Sequence, residues 1–345
     1  MNEGGDGLEV CVTQPRNGWD RRLSVAPMMD CTDRHCRYFL RRITRRTLLY
    51  TEMVTADAVR FGDRAKLLGF DASEHPVALQ LGGCDTESLS EGAAIAEDWG
   101  YDEVNLNIGC PSDRVQSARF GACLMAEPAL VARCVAHMRD RTTLPVTVKT
   151  RIGIDHLDSF EFLESFVNTV AEAGCTSFTL HARKAWLQGL SPRENRERPP
   201  LNYDRVREIK GARPDLEIVL NGGIPDPATG LREMGGHLDG MMLGRAAYNT
   251  PWVLADADAR VWGDTAPMPT RTAVIDAMVA YAEGLRREGL PIRLATRHMM
   301  GLCAGLPGAR KYRQHLSEVA RKEDARPEVI AEAFDKVNLP DAAEA

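Results

Sequence analysis

Eight short β-prone runs, separated by helix-prone stretches, constrain this chain more than any other feature. The runs begin at Leu23 (LSVAPM), Leu48 (LLYTEMV), Pro76 (PVALQLGG) and Tyr101 (YDEVNLNIG). They continue at Pro145 (PVTVKTRIG), Ser177 (SFTLHAR), Glu217 (EIVLNGGI) and Gly240 (GMMLGRA). Residues 86–99, 128–141, 160–173 and 203–211 read as helices between them. Strand–helix alternation demands parallel pairing with right-handed crossovers. Eight such units predict an α/β chain folded as a (β/α)8 TIM barrel. A doubly wound sheet is the alternative. It would place a glycine fingerprint after the first strand, where this chain has APMMDCTD.

The barrel is expected over residues 23–263. Residues 1–22 lack an apolar signal core and read as a flexible leader. From Asp264 a proline-containing linker, DTAPMPTRT, leads to helical stretches at 272–288, 294–302 and 309–321. Residues 264–345 therefore read as a small all-helical domain.

A chain of 345 residues with 44% hydrophobic composition can bury a large core. No apolar run is long enough to cross a bilayer, so a cytoplasmic protein is expected. The nine cysteines are odd in number and form no C-x-x-C pair, and no histidines stand at zinc spacing. Free thiols and no metal site are the expectation. The net charge of −6 opposes a polyanionic partner only on average. Between Arg286 and Arg313 seven cationic residues face one acid, Glu288, and between Arg37 and Arg46 there are five arginines and no acid. A polyanion responds to the local field. Charge alone leaves two readings open, a nucleic-acid surface or solvated helix faces.

In barrels of this kind the active site lies at the carboxyl ends of the strands. Gln80, Asn105, Asn107, Cys110, Lys149, Arg151, His181, Arg183, Asn221 and Arg245 all fall there. Polar groups at the ends of apolar strands are costly to desolvate unless they bind something. Two glycine turns, Asn221-Gly222-Gly223 and Gly244-Arg245, end the last two strands and suit a phosphate of substrate or cofactor. Lys149 is either a Schiff-base nucleophile or a fixed charge beside a flavin ring. Gln80 and His181 offer an amide and an imidazole to the same ring. Cys110, between Gly109 and Pro111, could be a nucleophile, a general acid or a packed thiol.

Taken together, APMMD, LQLGG, NLNIGCPS, VKTRIG, LHARKAWLQGLSP, LNGGI and LGRAAY resemble the tRNA-dihydrouridine synthases. The likeness covers roughly residues 23–263 and continues through RHMMGLCAGLPGARKYRQHL from Arg297. SDRVQSARFGACLM and RKAWLQGLSPRENRERPPL are similar to the A subfamily, which reduces D-loop uridines 20 and 20a. The resemblance implies an FMN-binding barrel, a helical tRNA-binding domain, NADPH as reductant and no obligate protein partner. It implies that Pro27, Met28 and Met29 line the flavin, and that Gln80, Lys149 and His181 contact its ring. Asn221, Gly222, Gly223, Gly244 and Arg245 would hold its phosphate. Hydride would pass from flavin N5 to C6 of uracil, with Cys110 as the proton donor to C5. Asn107 would contact the extruded uridine, and Arg183, Lys184, Arg297, Arg310 and Arg313 would face the tRNA. The rival readings are a flavin barrel acting on free dihydropyrimidines or dihydroorotate, a Schiff-base aldolase using Lys149, and a non-enzymatic RNA-binding barrel.

Overall fold

Each expected run forms a strand, and the eight parallel strands close into a barrel in chain order. They are β1 (Leu23–Val25), β2 (Leu48–Thr55), β3 (Val77–Gly82), β4 (Glu103–Ile108), β5 (Val146–Arg151), β6 (Ser177–His181), β7 (Glu217–Asn221) and β8 (Gly240–Leu243). β8 returns to pair with β1. The computed structural model describes residues 19–339, so most of the expected leader lies outside the described residues.

Alternation along each strand decides what the barrel contains. One face of β3 and β4, with Val77, Leu79, Leu81, Val104, Leu106 and Ile108, is buried under the helices. The opposite face turns Gln80, Glu103, Asn105 and Asn107 into the barrel. Register sets Gln80 beside Asn105, Asn105 beside Thr147, and Asn107 beside Lys149. Barrel interiors are usually filled by branched apolar side chains. Here only one side is apolar, where Leu48, Tyr50, Ala78, Val219 and Met242 cluster.

The surrounding helices start where their caps stand. Asp85 accepts from the Ser88 N–H at the start of Thr86–Asp98, and Ser159 accepts from the Phe162 N–H before Phe160–Glu172. Pro128–Arg139 and Tyr203–Ala212 also lie within two residues of the stretches expected from sequence.

Residues 19–22, assigned to the leader on sequence, pack beneath the barrel. Arg21 donates to Glu103 at 2.6 Å and to Glu217 at 2.7 Å, closing that end. This crossing explains Gly240, where a Cβ would stand 2.1 Å from the Arg21 carbonyl oxygen.

The helical tail docks on the first helix, Arg34–Arg41. Tyr281, on the helix Arg271–Arg287, stacks on Tyr38 with ring centroids 4.1 Å apart, and its hydroxyl is 2.7 Å from His35 Nδ1. The single helix expected over 294–302 is instead a turn of α-helix, Arg293–Thr296, followed by a 3-10 turn, Met299–Gly301. The docking itself is the reason. A Cβ on Gly301 would stand 2.1 Å from the Asn249 carbonyl, so tertiary contact with the barrel overrides the local helix pattern. Ala309–Glu318 and a helix missed on sequence, Val329–Phe334, complete the tail.

The arginines of 37–46 work largely inside the fold. Arg37 pairs with Glu74 at 2.7 Å, and both are buried. Arg41 donates to the carbonyls of Thr44, Thr47 and Glu74. Arg45 pairs with Asp264 at 3.0 Å, tying the linker to the barrel. Among the described residues no helix is long and apolar enough to cross a membrane, and no cluster of His, Cys, Asp or Glu is placed to hold a metal ion.

Candidate active site

A cavity of about 2410 Å³ opens at the carboxyl ends of the strands and runs out to Tyr281, Leu285 and Leu294 of the tail. Small-molecule pockets are typically ~300–1,000 Å³, so this one can hold more than a single small ligand. Its wall brings together Pro27, Met28, Met29, Gln80, Asn107, Cys110, Lys149 and His181 with Asn221, Gly222, Gly223, Gly244 and Arg245.

Cys110 sits on a turn fixed from three sides. The N–H groups of Gly109 and Cys110 donate to Asn107 Oδ1 at 3.1 and 3.0 Å. Arg151 Nε donates to the Gly109 carbonyl at 3.1 Å, while its Nη1 holds the Asn195 carbonyl at 3.0 Å. The Ala122 N–H donates to the Cys110 carbonyl at 2.9 Å. Gly121 has φ +78°, and a Cβ there would stand 2.5 Å from that carbonyl oxygen. The thiol is partly exposed to the cavity, 3.5 Å from Ser112 Oγ. Cys175 and Cys303 are different. Both are packed in the core, where burial pushes the thiols up to about 12.

Beside this turn the wall is cationic. Lys149 Nζ donates to Asn221 Oδ1 at 3.0 Å, and Asn221 Nδ2 donates to the Met242 carbonyl at 2.8 Å. Burial, and then the charge of Arg151, lowers Lys149 to about 7. Burial lowers Arg151 to about 10. His181 is pushed well below its ordinary value by burial and then by Arg151 and Lys149, so its imidazole is neutral, with one donor and one acceptor nitrogen. Gly222 and Gly223, at φ +111° and +71°, are in the left-handed region. A Cβ on Gly222 would stand 2.7 Å from His181 Cδ2, and one on Gly223 would stand 2.5 Å from Leu201 Cδ1. The Tyr203 hydroxyl donates to the Gly222 carbonyl at 2.7 Å and pins the turn. Arg245, which opens the short helix Arg245–Asn249, is paired with Glu197 at 2.6 Å.

Arg196 also lines the cavity and was missed on sequence. Burial, and then the neighbouring Arg245, lowers its pKa. The signal was present in the charge-dense run RENRER, but that run does not say which arginine turns inward. The depressed cations share one cause, burial at the cavity wall, and a cationic neighbour adds to it in each case. A bound anion relieves this. The arrangement suits a ligand with a phosphate beside the glycine turn and a flat polar ring over Gln80 and Asn107.

The positions expected to face tRNA lie outside the cavity wall. Arg183 donates to the Pro199 carbonyl. Lys184 is paired with Asp158 at 2.7 Å, sits over the Trp186 ring at 4.5 Å, and borders a separate cleft of about 620 Å³. Arg297 pairs with Asp33, joining the tail to the first helix. Arg310 and Arg313 are exposed on the helix Ala309–Glu318.

The family model described as Dihydrouridine synthase (Dus) matches residues 24–338. A tRNA-dihydrouridine(20/20a) synthase of Vibrio cholerae is 54% identical over 317 residues, covering 92% of this chain and 96% of that protein. The proteins of the same name in Synechocystis and Escherichia coli are 53% and 52% identical, each across 92% of this chain and across 95% and 91% of their own lengths. Among solved structures, a 2-naphthoyl-CoA reductase complex superposes with a TM-score of 0.52 at 11% identity, covering 68% of this chain and 49% of that one. At that identity the likeness speaks for the fold alone.

Proposed function

The chain belongs to the dihydrouridine synthase family of oxidoreductases, and from that premise we propose that it reduces the C5–C6 double bond of D-loop uridines 20 and 20a in tRNA. FMN would be the bound cofactor and NADPH the reductant, and the reaction would take place in the cytoplasm. One observation carries the reading: Cys110 stands on a rigid turn in the same cavity as a cationic wall and a glycine cradle.

Pro27, Met28 and Met29 would wall the flavin, and Gln80, Lys149 and His181 would meet its ring. The amides of Gly222, Gly223 and Gly244, with Asn221, Arg245 and Arg196, would hold the phosphate. FMN, when bound and reduced by NADPH, would supply hydride chemistry for C6 of uracil. Lys149 places a positive charge against the ring edge, and an anion there raises its depressed pKa back toward the ordinary value. A lysine lowered to about 7 would also suit Schiff-base chemistry, but membership of an oxidoreductase family favours the fixed-charge role.

Cys110 gives its thiol proton to C5 as the C5–H bond forms, and the thiolate regains a proton from solvent. A thiol suits this step because it both holds and releases a proton near neutral pH. Asn107 orients the uracil ring. The base must leave its stack to reach C6, and the cavity's extension toward the tail gives it room. Arg183, Lys184, Arg297, Arg310 and Arg313 would meet the phosphate backbone, a shape-led and salt-dependent grip.

The test uses unmodified tRNA transcript, NADPH and the purified, yellow protein. Dihydrouridine mapped by mass spectrometry to 20 and 20a is the expected result. NADPH oxidation without modified tRNA, or a colourless protein, overturns it.

A further inference from the structure

A column of hydrogen bonds runs through the barrel from its closed end to the Cys110 turn, and its direction is fixed at both ends. At the bottom Glu103 is fully buried and paired with Arg21 through Oε2 at 2.6 Å. Its Oε1 accepts from the Tyr50 hydroxyl at 2.5 Å and from the Thr147 hydroxyl at 2.6 Å. A carboxylate only accepts, so the Thr147 proton must point down toward it. Thr147 Oγ1 is then left to accept, and Asn105 Nδ2 donates to it at 2.8 Å. That turns Asn105 Oδ1 toward Gln80, whose Nε2 donates at 2.8 Å. Gln80 Oε1 in turn accepts from Asn107 Nδ2 at 2.7 Å. Asn107 Oδ1 faces the N–H groups of Gly109 and Cys110, which only donate. Reversing one amide would set donor against donor or acceptor against acceptor at a neighbouring rung. All four rungs, Thr147, Asn105, Gln80 and Asn107, are buried, where an unmatched polar group is costly.

We propose that this ladder, starting at Glu103 and Thr147, positions the Cys110 turn and sets which atom Asn107 offers to substrate. Thr147 and Asn105 are thus positioning residues that act through Gln80 and Asn107. Both Asn107 Oδ1 lone pairs are engaged by the turn, so the side chain has only its remaining N–H to offer. An N–H suits the carbonyl oxygens of uracil and opposes an exocyclic amino group. This last step rests on the proposed reaction, while the ladder itself does not.

Thr147→Val cuts the ladder with little change of shape, and Thr147→Ser keeps it. Tyr50→Phe removes a hydroxyl from the same carboxylate but lies off the ladder. Hydrogen exchange is followed by mass spectrometry on flavin-loaded enzyme. In Thr147→Val the amides of Gly109 and Cys110 should exchange faster by roughly fivefold or more, the loss of about one hydrogen bond's worth of protection. A peptide covering β7 should be unchanged. The kcat for tRNA reduction should fall about tenfold while KM for tRNA holds, as small misplacements do. Thr147→Ser should restore both, and Tyr50→Phe should leave both intact. Unchanged exchange in Thr147→Val, or equal acceleration in Tyr50→Phe, overturns the proposal. If Thr147→Val does not accumulate folded, Asn105→Leu cuts the next rung and is judged by the same two readings. Responsive exchange in a protein that makes no dihydrouridine would leave the ladder standing and remove the proposed reaction.

Discussion

The two ends of the barrel both gather charged side chains, and they treat them in opposite ways. At the closed end Arg21 meets Glu103 and Glu217, and two hydroxyls complete the Glu103 carboxylate. At the open end Lys149, Arg151 and Arg196 face one another, and burial lowers the first two to about 7 and about 10. Arg21, Lys149 and Arg151 are all largely buried, so burial alone does not separate the two ends. Balance does. A matched buried pair keeps the fold closed, whereas a buried excess of one sign is stress that a ligand of the other sign removes.

That contrast breaks if the open end also carries the fold, and the largest expected effect tests this directly. Cys110→Ala should slow tRNA reduction by ~10²–10⁴-fold, the usual contribution of acid catalysis, with flavin content and the urea midpoint unchanged. A variant that loses flavin or stability along with turnover would make Cys110 a packing residue. At the closed end Glu103→Ala leaves the Arg21 guanidinium buried without its main partner. Unfolding free energy from urea titration should fall by about 3–5 kcal/mol. A loss under ~1 kcal/mol would mean that solvent reaches the plug and the ends differ less than their geometry suggests.

The strands and the polar residues at their ends were legible in sequence because each depends on a period of two and a turn signal. The ladder was not, because it needs register. Gln80, Asn105 and Thr147 meet only when three strands separated by helices align side by side, and no local pattern encodes that alignment. Arg196 was missed for a related reason: it lies beyond β6 in a loop that Asn195 folds back by accepting the Trp186 N–H at 2.8 Å. The arginines at 37–46 stood out as a charge run, yet Glu74 and Asp264, distant in sequence, absorb Arg37 and Arg45. Arg21 is the converse case. It sat in an unremarkable leader and closes the barrel. Composition reports charge, but only the fold reports whether that charge is already matched.

The open end should also show itself in pH dependence. In flavin-free protein Lys149 titrates near 7 when folded and near its ordinary 10.5 when unfolded. Between those values the unfolded chain binds more protons, so this group makes stability rise with pH. Below about 7 its destabilisation is fully present. Urea midpoints of flavin-free protein at pH 7, 8 and 9 should therefore climb relative to those of Lys149→Met. Bound flavin in its reduced, anionic form should flatten the difference, because a negative ring beside the ammonium restores its affinity for a proton. Parallel midpoints for the two proteins would show that Lys149 is not stressed and that the wall does not wait for an anion.

The smallest effect belongs to cations that belong to neither end. Arg310 and Arg313 are exposed on the tail, so they carry no desolvation stress for a ligand to relieve. Their contribution to tRNA binding would come from counterion release, at roughly 0.7–0.9 of a unit in the salt slope for each phosphate contact. Arg310→Ala combined with Arg313→Ala should lower the slope of log affinity against log salt by about 1–2. Turnover at saturating tRNA should be unchanged, because neither side chain touches the cavity wall. This outcome would separate two uses of positive charge: a buried excess at the open end that fixes a specific anion, and solvated charge on the tail that gathers phosphates without discriminating among them. An unchanged slope would return both arginines to a solvated helix face and leave the tRNA grip to cations nearer the barrel mouth.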